Sequence, residues 1–307
     1  MKELWTEKYR PNSLEGYVFR DDAQKKQIQS WINDNAIPHL LFSGSAGVGK
    51  TTLAKILINQ LDVDEYDVKE INASRDNSVD TIRDTITNFV ATMPFGDFKI
   101  VLLDEADYIT PNGQAVLRGL MEKYASSARF ILTCNYPNRI IPALHSRCQG
   151  FHIDRVDKTE FTARIAEIML TEEVEFDIDT LDTYVKGTYP DLRKCLNNCQ
   201  MNSGSGKLES AHGDEGNSAD YKVEAVNLFK RKEYSKARAL ISASVRPEEM
   251  EELIKWSYDN LDLWGSTDEQ QDKAILIIRD AAVNSSFVAD PEINISAMII
   301  ELAELSQ

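Results

Sequence analysis

Long apolar runs are missing from this chain. No stretch approaches the roughly 18 apolar residues of a membrane span, and the opening MKELWTEKYRPNSL holds no run of signal-peptide length. A cytoplasmic protein with no membrane partner is therefore expected. Cysteine is scarce as well: Cys134, Cys148, Cys195 and Cys199 form no C-x-x-C pair, so neither a disulfide framework nor a zinc ribbon is encoded. Positive charge is in deficit, with 34 Lys and Arg against 50 Asp and Glu, a net charge of −16. Because phosphate binding needs local Lys and Arg, this balance argues at first sight against a nucleic-acid partner. The deficit is uneven, however. Residues 1–150 hold 17 basic and 19 acidic side chains, whereas residues 151–307 hold 17 and 31, so only the first half can readily offer a basic face.

What is present is an alternation. From about Ala23 to Gln149, short apolar runs (HLLFSG, DVKEINA, KIVLLDEAD, ARFILTCN) are separated by amphipathic stretches of helical length. That pattern predicts a doubly wound α/β domain over residues 1–150, with a parallel sheet covered on both faces. Helical periodicity then predicts a small all-α domain over 151–201. The polar, Gly- and Ser-rich segment 202–220 reads as a flexible linker or exposed loop. Helices resume over 221–307, where Trp256 and Trp264 are expected to be packing residues.

Two motifs carry chemistry. Gly44-Ser-Ala-Gly47-Val48-Gly49-Lys50-Thr51 matches G-x-x-x-x-G-K-[ST] between a predicted strand and a predicted helix. Glycines there let backbone N–H groups wrap phosphate oxygens, Lys50 reaches the terminal phosphates and Thr51 offers a hydroxyl to Mg²⁺. About fifty residues later, the apolar run from Lys99 ends in Asp104 and Glu105, which a buried strand delivers to the carboxyl edge of the sheet. Asp104 there can hold the Mg²⁺ shell and Glu105 can polarise water, a pairing that favours ATP hydrolysis over transfer to a small acceptor.

With these motifs in place, further stretches resemble the AAA+ ATPases, and among them the sliding-clamp loaders of the replication factor C small-subunit type. They are Trp5-Thr-Glu7-Lys8-Tyr9-Arg10-Pro11, Asn72-Ala-Ser74 through Arg83, Asp104-Glu-Ala-Asp107, Gln114 to Arg118, Cys134-Asn135-Tyr136, Ser146-Arg147-Cys148 and Pro190-Asp-Leu-Arg193. The resemblance spans essentially the whole chain. It implies a AAA+ parallel-sheet domain, a helical lid and a C-terminal helical collar for oligomerisation. The lack of zinc cysteines, Gly119 and the compact C-terminal region look most like the ATPase subunit of T4-like bacteriophage loaders, whereas the DEAD ending and Cys134-Asn-Tyr are closer to cellular proteins.

The resemblance implies an adenine pocket formed by Glu7, Lys8, Tyr9, Arg10, Pro11 and Val18. It implies phosphate contacts from Gly47, Val48, Gly49, Lys50, Thr51, Thr52 and Arg193, with Mg²⁺ held by Thr51 and Asp104. Glu105, Asn135 and Lys50 would be catalytic, together with Arg147 as a finger reaching the ATP of a neighbouring subunit. Arg75, Asn77, Arg83 and Arg118 are the candidates for DNA backbone contact. The implied partners are primer-template DNA, a sliding clamp, further copies of the chain (a homotetramer), one different loader subunit and the DNA polymerase holoenzyme. A helicase loader or branch-migration motor is the alternative, disfavoured because the sequence carries no recognisable added DNA-binding module or pore loop. A scaffold that binds ATP without hydrolysis is a third reading, opposed by Glu105 and Arg147.

Overall fold

The computed structural model describes residues 3–75, 78–153, 155–210, 220–246, 249–285, 287–288 and 290–305. Among them lie five strands: β1 (Leu40–Ser43), β2 (Val68–Asn72), β3 (Lys99–Asp104), β4 (Ala128–Cys134) and β5 (Gln149–His152). They form one parallel sheet in the order β2-β3-β4-β1-β5. Every residue of β1 is buried, as are the first five of β3, and Leu40–Phe42 and Ile100–Leu103 within them are unbroken apolar runs. One face packs Val101, Leu103, Phe130 and Leu132 against Ile82, Ile86 and Leu117. The last three come from the mutually packed helices α4 (Val79–Val90) and α5 (Pro111–Lys123). Alternation sends Leu40, Phe42, Leu102 and Ile131 to the other face, and α3 (Lys50–Gln60) contacts β1, β3 and β4.

Local chemistry starts these helices. Asp21 accepts from Gln24 N at 2.8 Å to open α2 (Asp22–Asn33), and Thr110 caps α5 with Pro111 in its first turn. The short helices α1 (Trp5–Lys8) and α6 (Pro142–His145) and the longer α7 (Lys158–Thr171), α8 (Ile178–Thr188) and α9 (Leu192–Met201) complete the first two thirds. Five more follow: α10 (Tyr221–Lys230), α11 (Tyr234–Ser244), α12 (Met250–Asp259), α13 (Asp268–Asn284) and α14 (Pro291–Leu305). Among the described residues, no helix is long and apolar enough to cross a membrane.

The chain divides into two compact units, which differ from the expected segments 1–150, 151–201, 202–220 and 221–307. The first unit is Met1–Ile168 with Pro190–Asn197; the second is Met169–Tyr189 with Asn198–Gln307. The expected lid is thus shared out. Asp191 lies against the phosphate loop, so that a Cβ on Gly47 would fall 1.7 Å from its Oδ1. α8, by contrast, belongs with the C-terminal helices. Gly187 abuts Val223, Lys230 Nζ donates to the carbonyl and carboxylate of Asp179, and Trp256 Nε1 donates to Lys186 O.

Segment 202–210 is not a free linker. Leu208 is buried and its N–H donates to Glu175 O, while Tyr184 Oη donates to Glu209 O. Glu175 N also donates to Gly206 O at 3.0 Å, so these hydrogen bonds and a buried leucine hold the segment despite its Gly and Ser content; residues 211–219 lie outside the described ones. The second unit centres on Phe229, Ile241, Trp256, Trp264, Met298 and Leu302, with both tryptophans buried as expected.

Candidate active site

The phosphate loop leaves β1 after Ser43 and enters α3 at Lys50. Gly47 and Gly49 hold φ values of +72° and +89°, in the left-handed region where a side chain is strained. Space is closed as well, since a Cβ on Gly49 would sit 2.9 Å from the Tyr17 ring. The sequence pattern is thus a requirement of backbone conformation and of close approach together. Lys50 is buried, and its Nζ donates to Gly44 O at 3.0 Å and Ser45 O at 2.7 Å. Burial pulls its pKa down and Arg193 adds to that effect, against the negative potential of Cys134, Asp104 and Asp107. An anion placed in the loop would restore the ammonium's counter-charge.

At the carboxyl end of β3 the acidic motif is organised by hydroxyl groups. Thr51 Oγ1 and Thr133 Oγ1 both donate to Asp104 Oδ1 at 2.6 Å, and Glu105 N donates to Thr133 Oγ1 at 3.0 Å. Glu105 itself stands at φ +58°, ψ +44°. Asp107 is buried, and its Oδ2 accepts from the backbone N–H groups of Asn135 and Tyr136 at 3.3 and 3.1 Å, which fixes the turn after β4. Lys50, Thr51, Thr52, Asp104, Glu105, Thr133, Asn135 and Arg193 line one cavity. Hard oxygen donors from Thr51 and Asp104 converge beside the phosphate loop, a donor set that fits Mg²⁺ completed by water and phosphate oxygens.

A second, more apolar cavity adjoins it. Tyr9, Arg10, Pro11, Tyr17, Val18, the loop at Gly47 to Gly49, Val156, Phe161, Leu192 and Leu196 line it, together with Arg193. Tyr17 is buried with its hydroxyl toward Val48 O at 3.4 Å, and burial pushes its phenol well above the usual range, so it stays neutral. The expected Tyr9, Arg10, Pro11 and Val18 are therefore brought to the pocket. Glu7 and Lys8 are not: α1 turns both outward, and Glu7 pairs with Arg10 at 2.7 Å. Tyr17 and Thr133 are additions that the motifs do not announce, and Asp191 lies within the Pro190–Arg193 stretch without being among the expected contacts. Asp191 accepts from Lys194 N at 2.8 Å, and burial raises its pKa against that bond and the charge of Arg193.

Arg147 follows α6 and does not line either cavity. Its guanidinium pairs with Glu122 on α5, which also faces Arg118 at 3.9 Å. Arg83 is exposed beside Asp80 at 3.5 Å, and Arg75 is exposed at the edge of the cleft that holds Asp104 and Glu105. Asn77 lies outside the described residues.

Residues 40–154 match the ATPase family associated with various cellular activities (AAA). The chain is 42% identical over 209 residues to the replication factor C small subunit of Sulfurisphaera tokodaii, covering 67% of itself and 64% of that protein. It is 37% identical over 257 residues to that of Archaeoglobus fulgidus, covering 82% and 73%. With that of Picrophilus torridus it shares 35% over 249 residues, 78% of each. The chain thus spans somewhat less than two thirds of the first relative and more of the other two. Among solved structures, the RuvB Holliday junction branch migration motor of Thermotoga maritima matches with a TM-score of 0.52 at 17% identity, over 62% of this chain and 63% of that one. A point variant of the same motor gives 0.57 at 14%, over 80% and 88%. At such identities the likeness is one of fold alone. Identity of 37% across 73% of a relative's length, by contrast, makes this chain a member of the replication factor C small-subunit family of AAA ATPases.

Proposed function

We propose that the chain is an ATP-hydrolysing motor subunit of a sliding-clamp loader, which opens a polymerase processivity clamp and places it on primer-template DNA. The observation that carries this reading is a cleft that gathers the hydrolytic side chains without the arginine of the Ser-Arg-Cys triplet. Lys50, Thr51, Asp104, Glu105, Asn135 and Arg193 share a cleft, while Arg147 of the Ser-Arg-Cys triplet is directed to Glu122.

ATP would bind with its base between Tyr9, Pro11, Tyr17 and Val18 and its phosphates over the N–H groups of Gly47 to Thr52. Lys50 would hold the terminal phosphates. Mg²⁺, when bound by Thr51 and Asp104, offsets phosphate charge. Glu105 would take the proton of the attacking water, and Asn135 would orient that water or the γ-phosphate. Arg193, at the start of α9, would touch the phosphates from the side opposite the loop. Arg147 would act on the ATP of a neighbouring copy, a contribution of about 10³ to 10⁵ in rate for such fingers.

The reading implies four copies with one different subunit, acting with the clamp and the polymerase holoenzyme in the cytoplasm. DNA would be held by its phosphates, with Arg75, Asn77, Arg83 and Arg118 as the contacts. The T4-like bacteriophage affinity rests on Gly119, the absent zinc cysteines and the compact C-terminal region. The relatives that the chain matches are archaeal, and they support the coarser clamp-loader reading.

The test is ATP turnover by the assembled protein with and without clamp and primer-template DNA. Strong stimulation by both is expected. Turnover indifferent to the clamp would contradict the reading.

A further inference from the structure

We propose that Thr133 is a positioning residue for ATP hydrolysis, setting the orientation of Glu105 through one hydroxyl shared between Asp104 and the Glu105 backbone. The inference rests on the reading of Glu105 as the residue that activates water. Thr133 lies near the end of β4, on a strand different from both carboxylates, and is 1% exposed. A threonine hydroxyl has one hydrogen to give and lone pairs to receive. Here the hydrogen goes to Asp104 Oδ1 at 2.6 Å and a lone pair receives Glu105 N–H at 3.0 Å. The donor and the acceptor role are thus both taken, which leaves the hydroxyl one orientation.

The backbone it holds is the unusual one. Glu105 is in the left-handed region, which an L-residue adopts only where its surroundings enforce it. Other constraints act on either side of Glu105. Ala73 N donates to Asp104 O at 2.8 Å, pinning the preceding residue to β2, and Tyr108 N donates to Glu105 O at 3.0 Å, closing the following turn. The N–H of Glu105 is held by Thr133 alone among the bonds described, so the hydroxyl fixes the direction in which the Glu105 side chain leaves the sheet edge. Because Thr133 is followed by Cys134 and Asn135, the same strand end sets Glu105 and Asn135 relative to each other.

The experiment compares Thr133→Val, Thr133→Ala and Thr133→Ser in the full chain, in the assembled state in which the wild-type protein hydrolyses ATP. Valine keeps the shape and the strand preference and removes only the hydroxyl. Expected is a fall in kcat of about ten- to a hundredfold for Val and Ala, the factor that loss of a hydrogen bond to a buried donor implies. The Kd for ATP should stay within about threefold, since the phosphate loop is untouched, and Ser should restore kcat. A wild-type kcat in Thr133→Val overturns the proposal. So does a loss of kcat that Ser fails to rescue, or one that tracks a loss of ATP affinity, because either marks a merely structural role. Glu105→Gln is measured alongside. If it turns over normally, the water-activating reading falls and this inference with it. If it is inactive while Thr133→Val is normal, only the positioning role is lost.

Discussion

Gly47→Ala should damage the protein by a route that Asp191 can reverse. The added Cβ would lie 1.7 Å from Asp191 Oδ1 and 2.2 Å from its Cγ, on a backbone held at φ +72°. Left-handed backbone costs an L-residue about 1–2 kcal/mol, offset by about 0.4–1 kcal/mol because alanine has less freedom than glycine in the unfolded chain. The clash is the larger matter. Asp191 must move, and it is the residue whose carboxylate accepts from Lys194 N at 2.8 Å in the first turn of α9; losing such a cap costs about 0.5–2 kcal/mol. The sum is about 1–3 kcal/mol, or a fall of about 3–10 °C in Tm for a domain of this size. ATP affinity should fall as well, because the displaced loop no longer presents its N–H groups in register. Serine at 191 is shorter and still caps a helix. Gly47→Ala/Asp191→Ser should therefore be more stable than Gly47→Ala alone, a non-additivity expected only of residues in contact. Thermal unfolding by calorimetry reads the four corners of the cycle. Additive changes, or a Gly47→Ala protein with unchanged Tm, would refute the packing described here.

Burial, with the charges of Arg129 and Arg147 adding to it, pulls the His39 pKa from 6.5 down to about 4, while His39 Nδ1 accepts from Phe130 N at 3.2 Å. The unfolded chain then binds more protons between pH 4 and 6.5, so stability should fall across that window as pH drops, by about 1–2 kcal/mol after allowance for partial solvation. Urea midpoints of a His39→Gln variant should show a flatter slope there, and an unchanged slope would remove the assignment. All four cysteines are buried, and burial pushes the Cys148 thiol up to about 12, so a thiol reagent under mildly alkaline conditions should label the native chain only as fast as it unfolds. Prompt labelling of Cys148 in the native state would contradict this.

Much of the fold is legible in the sequence because its signals are local. β1, β3 and β4 announce themselves by short apolar runs, β2 (VKEIN) only by its place between two helical stretches, and the phosphate loop is written in eight consecutive residues. β5 escapes that pattern, since Gln149, Gly150, Phe151 and His152 make a short, mostly exposed edge strand, held by its pairing with β1 and by Phe151 against Trp31 and Phe42. The domain boundaries differ because Pro190–Asn197 returns to the sheet unit, and periodicity along a chain carries no record of such a return. Segment 202–210 has the composition of a linker, though buried Leu208 and backbone hydrogen bonds with Glu175 dock it.

In the site, the residues that motifs single out come together: Lys50, Thr51, Asp104, Glu105, Asn135 and Arg193 line one cleft. Tyr17 and Thr133 are not singled out in this way, because their partners lie 31 and 28 residues away and neither type is rare. A polar residue two before Asn135, after the apolar run Phe130–Leu132, is the available signal for Thr133. Glu7 and Lys8 fail for the opposite reason. They belong to a recognisable segment, but α1 presents only some of its side chains to the pocket.

The most direct test of a site divided between two copies is a mixing experiment. Lys50→Ala chains lack the phosphate anchor and Arg147→Ala chains lack the guanidinium proposed to leave Glu122 for a neighbour's ATP, so each preparation alone should be inactive in ATP turnover. Mixed and reassembled with the partner subunit, they should regain a definite fraction of wild-type turnover, from interfaces where an intact Lys50 meets an intact Arg147. Mixtures that stay inactive, or Arg147→Ala chains that hydrolyse ATP normally unaided, would contradict the account.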